Sequence, residues 1–173
     1  GEIFDDYGLF KEPEQLIADL YKTGHLHKTA WLNGSFRIGL LDPKQNRVIL
    51  ITDRLGSKSI FVWHNDKALI ASSRLDAVIR EDIVRKRLSR QGLTELLIYQ
   101  RTVASQTQYS DIESMTAAQI WVWENGTLTK KTARKLAWVK PDFSKTDAAE
   151  GLASALTRAT ERRLSDPVRH GLL

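Results

Sequence analysis

Between Gln119 and Thr129 the chain leaves little choice of conformation. Gln119-Ile120-Trp121-Val122-Trp123-Glu124 is aromatic and β-branched, and Thr127-Leu128-Thr129 leads back. Between them stands Asn125-Gly126, the dipeptide that a type I′ turn prefers because both central residues need positive φ. A tight antiparallel hairpin is expected. Of Trp121 and Trp123, one is expected in the core rather than on a ligand platform.

The same period of two appears earlier. Phe36, Ile38 and Leu40 alternate with Arg37, Gly39 and Leu41, Asp42-Pro43-Lys44-Gln45-Asn46 makes a turn, and Val48 to Thr52 returns. Ile60 to Trp63 and Ala68 to Ala71 flank His64-Asn65-Asp66-Lys67 and read as a further hairpin, which gives a meander of four strands.

Helical spacing fills the rest. Gly1 to Phe4 reads as the end of a strand, followed by a polar turn through Asp5, Asp6, Tyr7 and Gly8. Pro13 suits a first helical position, Leu16, Ile17, Leu20 and Tyr21 share a face, and Gly24 suits the left-handed end. A second short helical stretch is expected to end at Gly34. Leu75 to Ile79 and the Leu93, Leu96, Leu97 and Tyr99 stretch suggest two more helices. From Ser144 to Leu164, Ser144 with Asp147 forms a capping-box pattern, and Leu152, Leu156, Ala159 and Leu164 make an apolar stripe. Gly151 inside it costs about 1 kcal/mol relative to alanine, which suggests close packing there. Val168 to Leu173 reads as a strand.

Composition removes several functions. The 173 residues contain no cysteine, which excludes a disulfide framework, a thiolate metal site and a cysteine nucleophile within them. No stretch approaches the roughly 20 apolar residues of a membrane span. Gly1 stands where an initiator would, with no n-region or h-region, so both ends read as cut. The net charge of +5 comes partly from Arg80, Arg85, Lys86, Arg87 and Arg90. With no aromatic residue interleaved to stack on bases, that cluster reads as a solvated helix face. His25 and His27 form a His-x-His without further ligands and read as a solvated pair, so no metal site is expected.

Asp53-Arg54-Leu55-Gly56-Ser57-Lys58-Ser59-Ile60-Phe61 joins two strands. Gly56 permits a positive backbone angle, and Asp53 and Arg54 can tie the loop to its neighbours. This stretch resembles the Asp-Arg-x-Gly-x-Lys-Pro-Leu-Tyr signature of the glutaminase domain in asparagine synthetases. Leu32-Asn33-Gly34-Ser35-Phe36 before it and Ala71-Ser72-Ser73 after it stand at that family's usual distances. Ile112 to Glu124 followed by Asn125-Gly126 resembles the closing hairpin, although the usual Pro-Pro-Gly-His is Met115-Thr116-Ala117-Ala118 here.

The resemblance implies an α+β fold, the four-layer αββα sandwich of N-terminal-nucleophile hydrolases, truncated at its N-terminus. Residues 1–140 would be an incomplete glutaminase-like, class II amidotransferase domain. Residues 141–173 would be a linker with the first helix and strand of an α/β ATP-pyrophosphatase domain. Burial should be greatest between the two sheets.

The resemblance also implies a site. Gly1-Glu2 looks like the end of the family's Asn-Gly-Glu, so the Gly1 amide would serve an oxyanion hole and Glu2 would meet the ammonium of glutamine. The bland alternative is two residues at a frayed end. Asp53, Arg54, Gly56 and Lys58 would form the structural signature loop. The aspartate of the family's Ser-Asp-x-Glu, which also holds that ammonium, aligns with Pro13 in Glu12-Pro13-Glu14-Gln15. Proline cannot accept the hydrogen bond. Either Glu12 or Glu14 substitutes, or the domain no longer hydrolyses glutamine.

The parent enzyme implied is a cytoplasmic amide ligase that adenylates a carboxylate with ATP and Mg2+, then lets ammonia from glutamine, or an internal amine, displace AMP. The nucleophilic cysteine and the ATP loop would both lie outside these residues, leaving this chain alone inactive and without a bound cofactor. Its partners would be glutamine, the carboxylate substrate, the synthetase domain and a second copy in a homodimer, with neither nucleic acid nor membrane. Two rivals stand beside this reading. One is a vestigial scaffold domain like those of β-lactam synthetases and lasso-peptide cyclases. The other is an unrelated basic binding module, whose mark would be steeply salt-dependent nucleic-acid binding.

Overall fold

A computed structural model describes residues 1–5, 8–9, 11–135, 137 and 144–164. In chain order the elements are β1 (Glu2–Asp5), β2 (Gly8–Leu9), α1 (Pro13–Lys22), a 3-10 turn at Leu26–Trp31, β3 (Asn33–Ser35), β4 (Arg37–Asp42) and β5 (Arg47–Thr52). Then come β6 (Phe61–His64), β7 (Leu69–Ser72), α2 (Leu75–Ile79), α3 (Arg90–Tyr99), β8 (Glu113–Ser114), β9 (Gln119–Glu124), β10 (Thr127–Thr132) and α4 (Lys145–Arg163). The result is a mixed chain with antiparallel sheets, compatible with an α+β sandwich.

The strands form three sheets, ordered β2-β1-β3, β10-β9-β5-β4 and β7-β6-β8. The expected four-strand meander is therefore replaced by two hairpins in different sheets. Local alternation predicts strands but not their partners, and here the free side of β5 is taken by β9, from Arg47 opposite Glu124 to Ile51 opposite Ile120. The Thr52 hydroxyl fastens the end of that pairing, donating to Thr116 O at 2.6 Å and accepting from Gln119 N at 3.1 Å. The chain then leaves the sheet through the Asp53 loop.

The hairpin at Asn125-Gly126 forms as expected, with φ of 49° and 81° and six residue pairs from Thr127–Glu124 to Thr132–Gln119. A side chain at 126 would come within 2.3 Å of Asp66 O, so the glycine also lets this turn rest on the β6–β7 turn. Trp121 and Trp123 lie two apart on one face, and both are buried rather than one.

Leu50, Ile60, Val62, Met115 and Trp121 make the apolar contact between the β5–β9 sheet and the β6 sheet. On the other side of β5, Ile49 and Ile51 meet Ile120, Tyr21 and Leu26, which brings α1 and the 3-10 turn onto that sheet. Against the β6 sheet, Trp63, Val78, Val84 and Ile112 form a further cluster with Leu75 and Ile79 of α2. Each fully buried Leu, Ile or Val contributes about 1.5–3 kcal/mol of transfer free energy. A polar tie completes α1, where the Tyr21 hydroxyl donates to Asp42 at 2.5 Å and Arg47 pairs with Glu124 at 2.8 Å.

Pro13 is the first residue of α1 and Gly24 has φ of 73°, as expected. The next helical stretch stops at Trp31 rather than at Gly34, because Asn33–Ser35 pairs with β1. Gly34 makes this pairing possible. With φ of 155°, any β-carbon there would fall 2.2 Å from Glu2 O.

Helix α4 has the Ser144–Asp147 capping box. Its leucine stripe is exposed, with no buried residue among the described ones, and it touches the rest of the chain at β2 and where the Arg163 guanidinium lies 5.0 Å from the Phe4 ring. Gly151 has open space where a side chain would go, so it does not mark close packing. The basic cluster is likewise not a helix face. Arg85, Lys86 and Arg87 sit in the irregular connection between α2 and α3, where hydrogen bonds to the 108–110 stretch hold the backbone. The strand expected at Val168 to Leu173 lies outside the described residues.

Candidate functional site

Asp53 is completely buried, and its carboxylate organises the signature loop. It accepts from Phe36 N at 3.2 Å, Leu55 N at 2.9 Å, Ser57 N at 3.2 Å and the Ser57 hydroxyl. Its carbonyl accepts from Gly56 N at 3.0 Å and from Ala118 N at 2.8 Å. Burial acts to raise this carboxyl, but the hydrogen bonds from Ser57, Leu55 and Phe36 outweigh it and hold the group below the usual carboxylate range. Gly56, at φ of 65°, faces the Ala117 backbone at 3.1 Å from where a β-carbon would stand. Ser35 and Ser57 hydroxyls meet at 2.6 Å. The loop is thus a clamp joining the β3–β4 junction, the β5–β6 crossing and the strand entry at Ala118.

Arg54 and Lys58 do not share in that clamp. Neither makes a hydrogen bond or ion pair among the described residues, and Lys58 is exposed. The expectation that Arg54 ties the loop to neighbouring strands is therefore not met. One acceptor with four donors already satisfies the turn.

A cavity of about 390 Å3 lies between α1 and β4, with Gly1 at its edge. Ile3, Ile17, Ile38 and Leu40 make its aliphatic floor beside Phe36, and Ile3, Ile17 and Phe36 form one packed cluster. Gly1 and Glu14 come together on this cavity, whereas Glu2, one step along β1, does not line it. Strand alternation explains the separation: Gly1 and Ile3 face the cavity and Glu2 is exposed beside them.

At the start of α1, Glu12 is the N-cap residue without a side-chain capping bond. It lies outside the cavity lining, and Pro13 lines it without an N–H to offer. Glu14 is exposed at the cavity and makes no hydrogen bond or ion pair among the described residues. Of the two carboxylates considered as replacements for the aspartate at position 13, Glu14 lines the cavity and Glu12 does not.

Sequence reasoning missed Arg37. It lines the same cavity, and its guanidinium donates to Ser59 O at 3.3 Å, which connects the cavity to the signature loop. The available signal was a lone cation at the start of a strand whose next four residues are Ile38, Gly39, Leu40 and Leu41. The arrangement is a pocket with one carboxylate, one guanidinium and an aliphatic floor, suited to a zwitterion with a short chain.

The His25 and His27 rings are tilted by 56° to one another, with centroids 5.8 Å apart. Among the described residues no three His, Cys, Asp or Glu side chains converge to hold a metal ion. Nor, among those residues, is any helix long and apolar enough to cross a membrane.

Compared with protein-family models, residues 11–134 match a glutamine amidotransferase domain. The matched stretch takes in α1, the signature loop and the closing hairpin. No curated protein matches the chain.

Proposed function

Because the chain belongs to the family of glutamine amidotransferase domains, we propose that its cavity beneath α1 receives glutamine for an ATP-dependent amide-forming enzyme of the asparagine-synthetase kind. One observation carries this reading: Gly1, Glu14 and Arg37 surround a single pocket with an aliphatic floor. Glu14 would accept from the α-ammonium, Arg37 would hold the α-carboxylate, and the methylene chain would lie on Ile17, Ile38 and Leu40. The amide nitrogen at Gly1 would face the oxyanion that forms when the side-chain carbonyl is attacked.

The attacking group in this reading is a cysteine thiolate. These 173 residues contain none, so it comes from outside them. The described residues do not converge on a cation, and the reading assigns ATP and Mg2+ to a synthetase domain. Residues 1–140 form the glutamine-site domain in an αββα sandwich, a layering supported by the packing of α1, two sheets and α2. Residues 141–173, with α4, lead into the synthetase domain, in a cytoplasmic enzyme.

Pro13 supports a second reading. With no acceptor at that position, the domain would be a vestigial scaffold for its synthetase half, as in the lactam-forming and peptide-cyclising relatives. Steady-state glutaminase assays on the full-length protein test the placement of substrate. The Glu14→Gln and Arg37→Ala variants should each raise KM for glutamine about tenfold or more, the loss of one charge-assisted hydrogen bond. An unchanged KM in both would move the substrate out of this cavity.

A further inference from the structure

A second cavity, about 560 Å3, opens at the end of β6. It owes nothing to the glutamine reading. Trp63 and His64 come from β6, Ile83 and Arg85 from the connection between α2 and α3, and Asp111 and Glu113 from the stretch entering β8. Both carboxylates are already committed. Asp111 accepts from Arg87 at 2.7 Å, and Glu113 accepts from Lys130 through both oxygens, at 2.5 and 2.6 Å.

Arg85 is exposed on the cavity wall, and its guanidinium has no ion pair or hydrogen bond among the described residues. Arg85 therefore adds one positive charge to a wall whose two carboxylates are neutralised by Arg87 and Lys130. The nearby chain adds no net charge, since Arg80 is paired with Asp76 and Lys86 and Arg90 are offset by Glu81 and Asp82. His64 adds no charge at neutral pH: burial and the Lys130 charge hold its imidazole below the usual value, against a smaller opposite pull from Glu113. It can still donate one ring N–H. Ile83 is 51% exposed and supplies apolar surface beside the Trp63 indole.

We propose that this cavity binds a small organic phosphate, its anionic head on Arg85 and its apolar body against Ile83 and Trp63. Of the basic residues visible in the sequence, Arg85 then serves a defined pocket, whereas Lys86 and Arg90 stay on the solvated surface.

Calorimetric titration of the full chain with phenyl phosphate, inorganic phosphate and benzoate tests this. Phenyl phosphate should bind saturably, at least about threefold tighter than either of the others, as expected when a charged head and an apolar body are both engaged. Arg85→Ala should weaken it about tenfold, and Lys86→Ala less than about twofold, since exposed charges act weakly at a distance. Ile83→Ser should weaken phenyl phosphate while leaving inorganic phosphate unchanged. Absence of saturable binding at about 10 mM ligand would overturn the proposal. So would tighter binding of benzoate, or equal losses from Arg85→Ala and Lys86→Ala, which would mark diffuse surface electrostatics.

Discussion

The Asp53 loop and the cavity beneath α1 both lean on the chain at Phe36, and they are finished in opposite ways. Around Asp53, three backbone N–H groups and a hydroxyl converge on one buried carboxylate. Beneath α1, the carboxylate of Glu14 is exposed and unengaged, Pro13 offers no donor, and the floor is aliphatic. The first region spends its polar groups on its own backbone. The second leaves the Glu14 carboxylate without a partner among the described residues. The most recognisable residues of the sequence are therefore those that fix the backbone, and the residues that line the cavity are less conspicuous.

This contrast predicts where substitutions act. Asp53→Ala should have the largest effect, lowering stability by about 3–5 kcal/mol in urea unfolding, because several buried donors lose their acceptor together. A loss below about 1 kcal/mol would mean that the clamp does not hold the loop. The same carboxyl makes stability depend on pH. Its pKa is lowered in the folded state, so its contribution is complete above the ordinary aspartate range and is lost as pH falls through the lower folded value. Unfolding free energy should decline toward acid pH more steeply in the parent than in Asp53→Asn.

Gly34→Ala comes next. Its β-carbon would meet Glu2 O at 2.2 Å, so β1 must part from β3 at about 2 kcal/mol or more. Faster hydrogen exchange of the β1 amides would locate the damage. Gly151→Ala, in open space on α4, should instead stabilise by up to about 1 kcal/mol. A destabilisation there would reveal a contact at that face. Smallest of all, Glu14→Gln should change stability by no more than about 0.5 kcal/mol while altering glutamine KM, which separates a ligand-facing group from a structural one.

Local chemistry made much of the fold legible. Asn125-Gly126 predicts its own positive angles, Pro13 its helix start, and Ser144 with Asp147 the N-terminus of α4. What escaped depends on distant pairing. Nothing near Val48 announces that it lies opposite Trp123, so two hairpins read as one meander. The short β3 exists because Gly34 lets Glu2 approach, a condition set by a residue 32 positions away. Gly1 and Glu14, singled out through the family's motifs, both line the cavity beneath α1, whereas Glu2, singled out with them, does not. Arg37 was not singled out, because strand alternation marks it as outward, on the face opposite Ile38 and Leu40, and only the tertiary structure lays this end strand of the sheet along the cavity.

The most direct test of the account is glutamate release by the full-length protein, measured beside ATP turnover with candidate carboxylates. The account predicts glutamate formed in step with ATP consumption and reduced about tenfold at subsaturating glutamine by Glu14→Gln. ATP turnover with no glutamate would contradict it, and would make the cavity beneath α1 the remnant of a glutamine site in a domain kept as a scaffold.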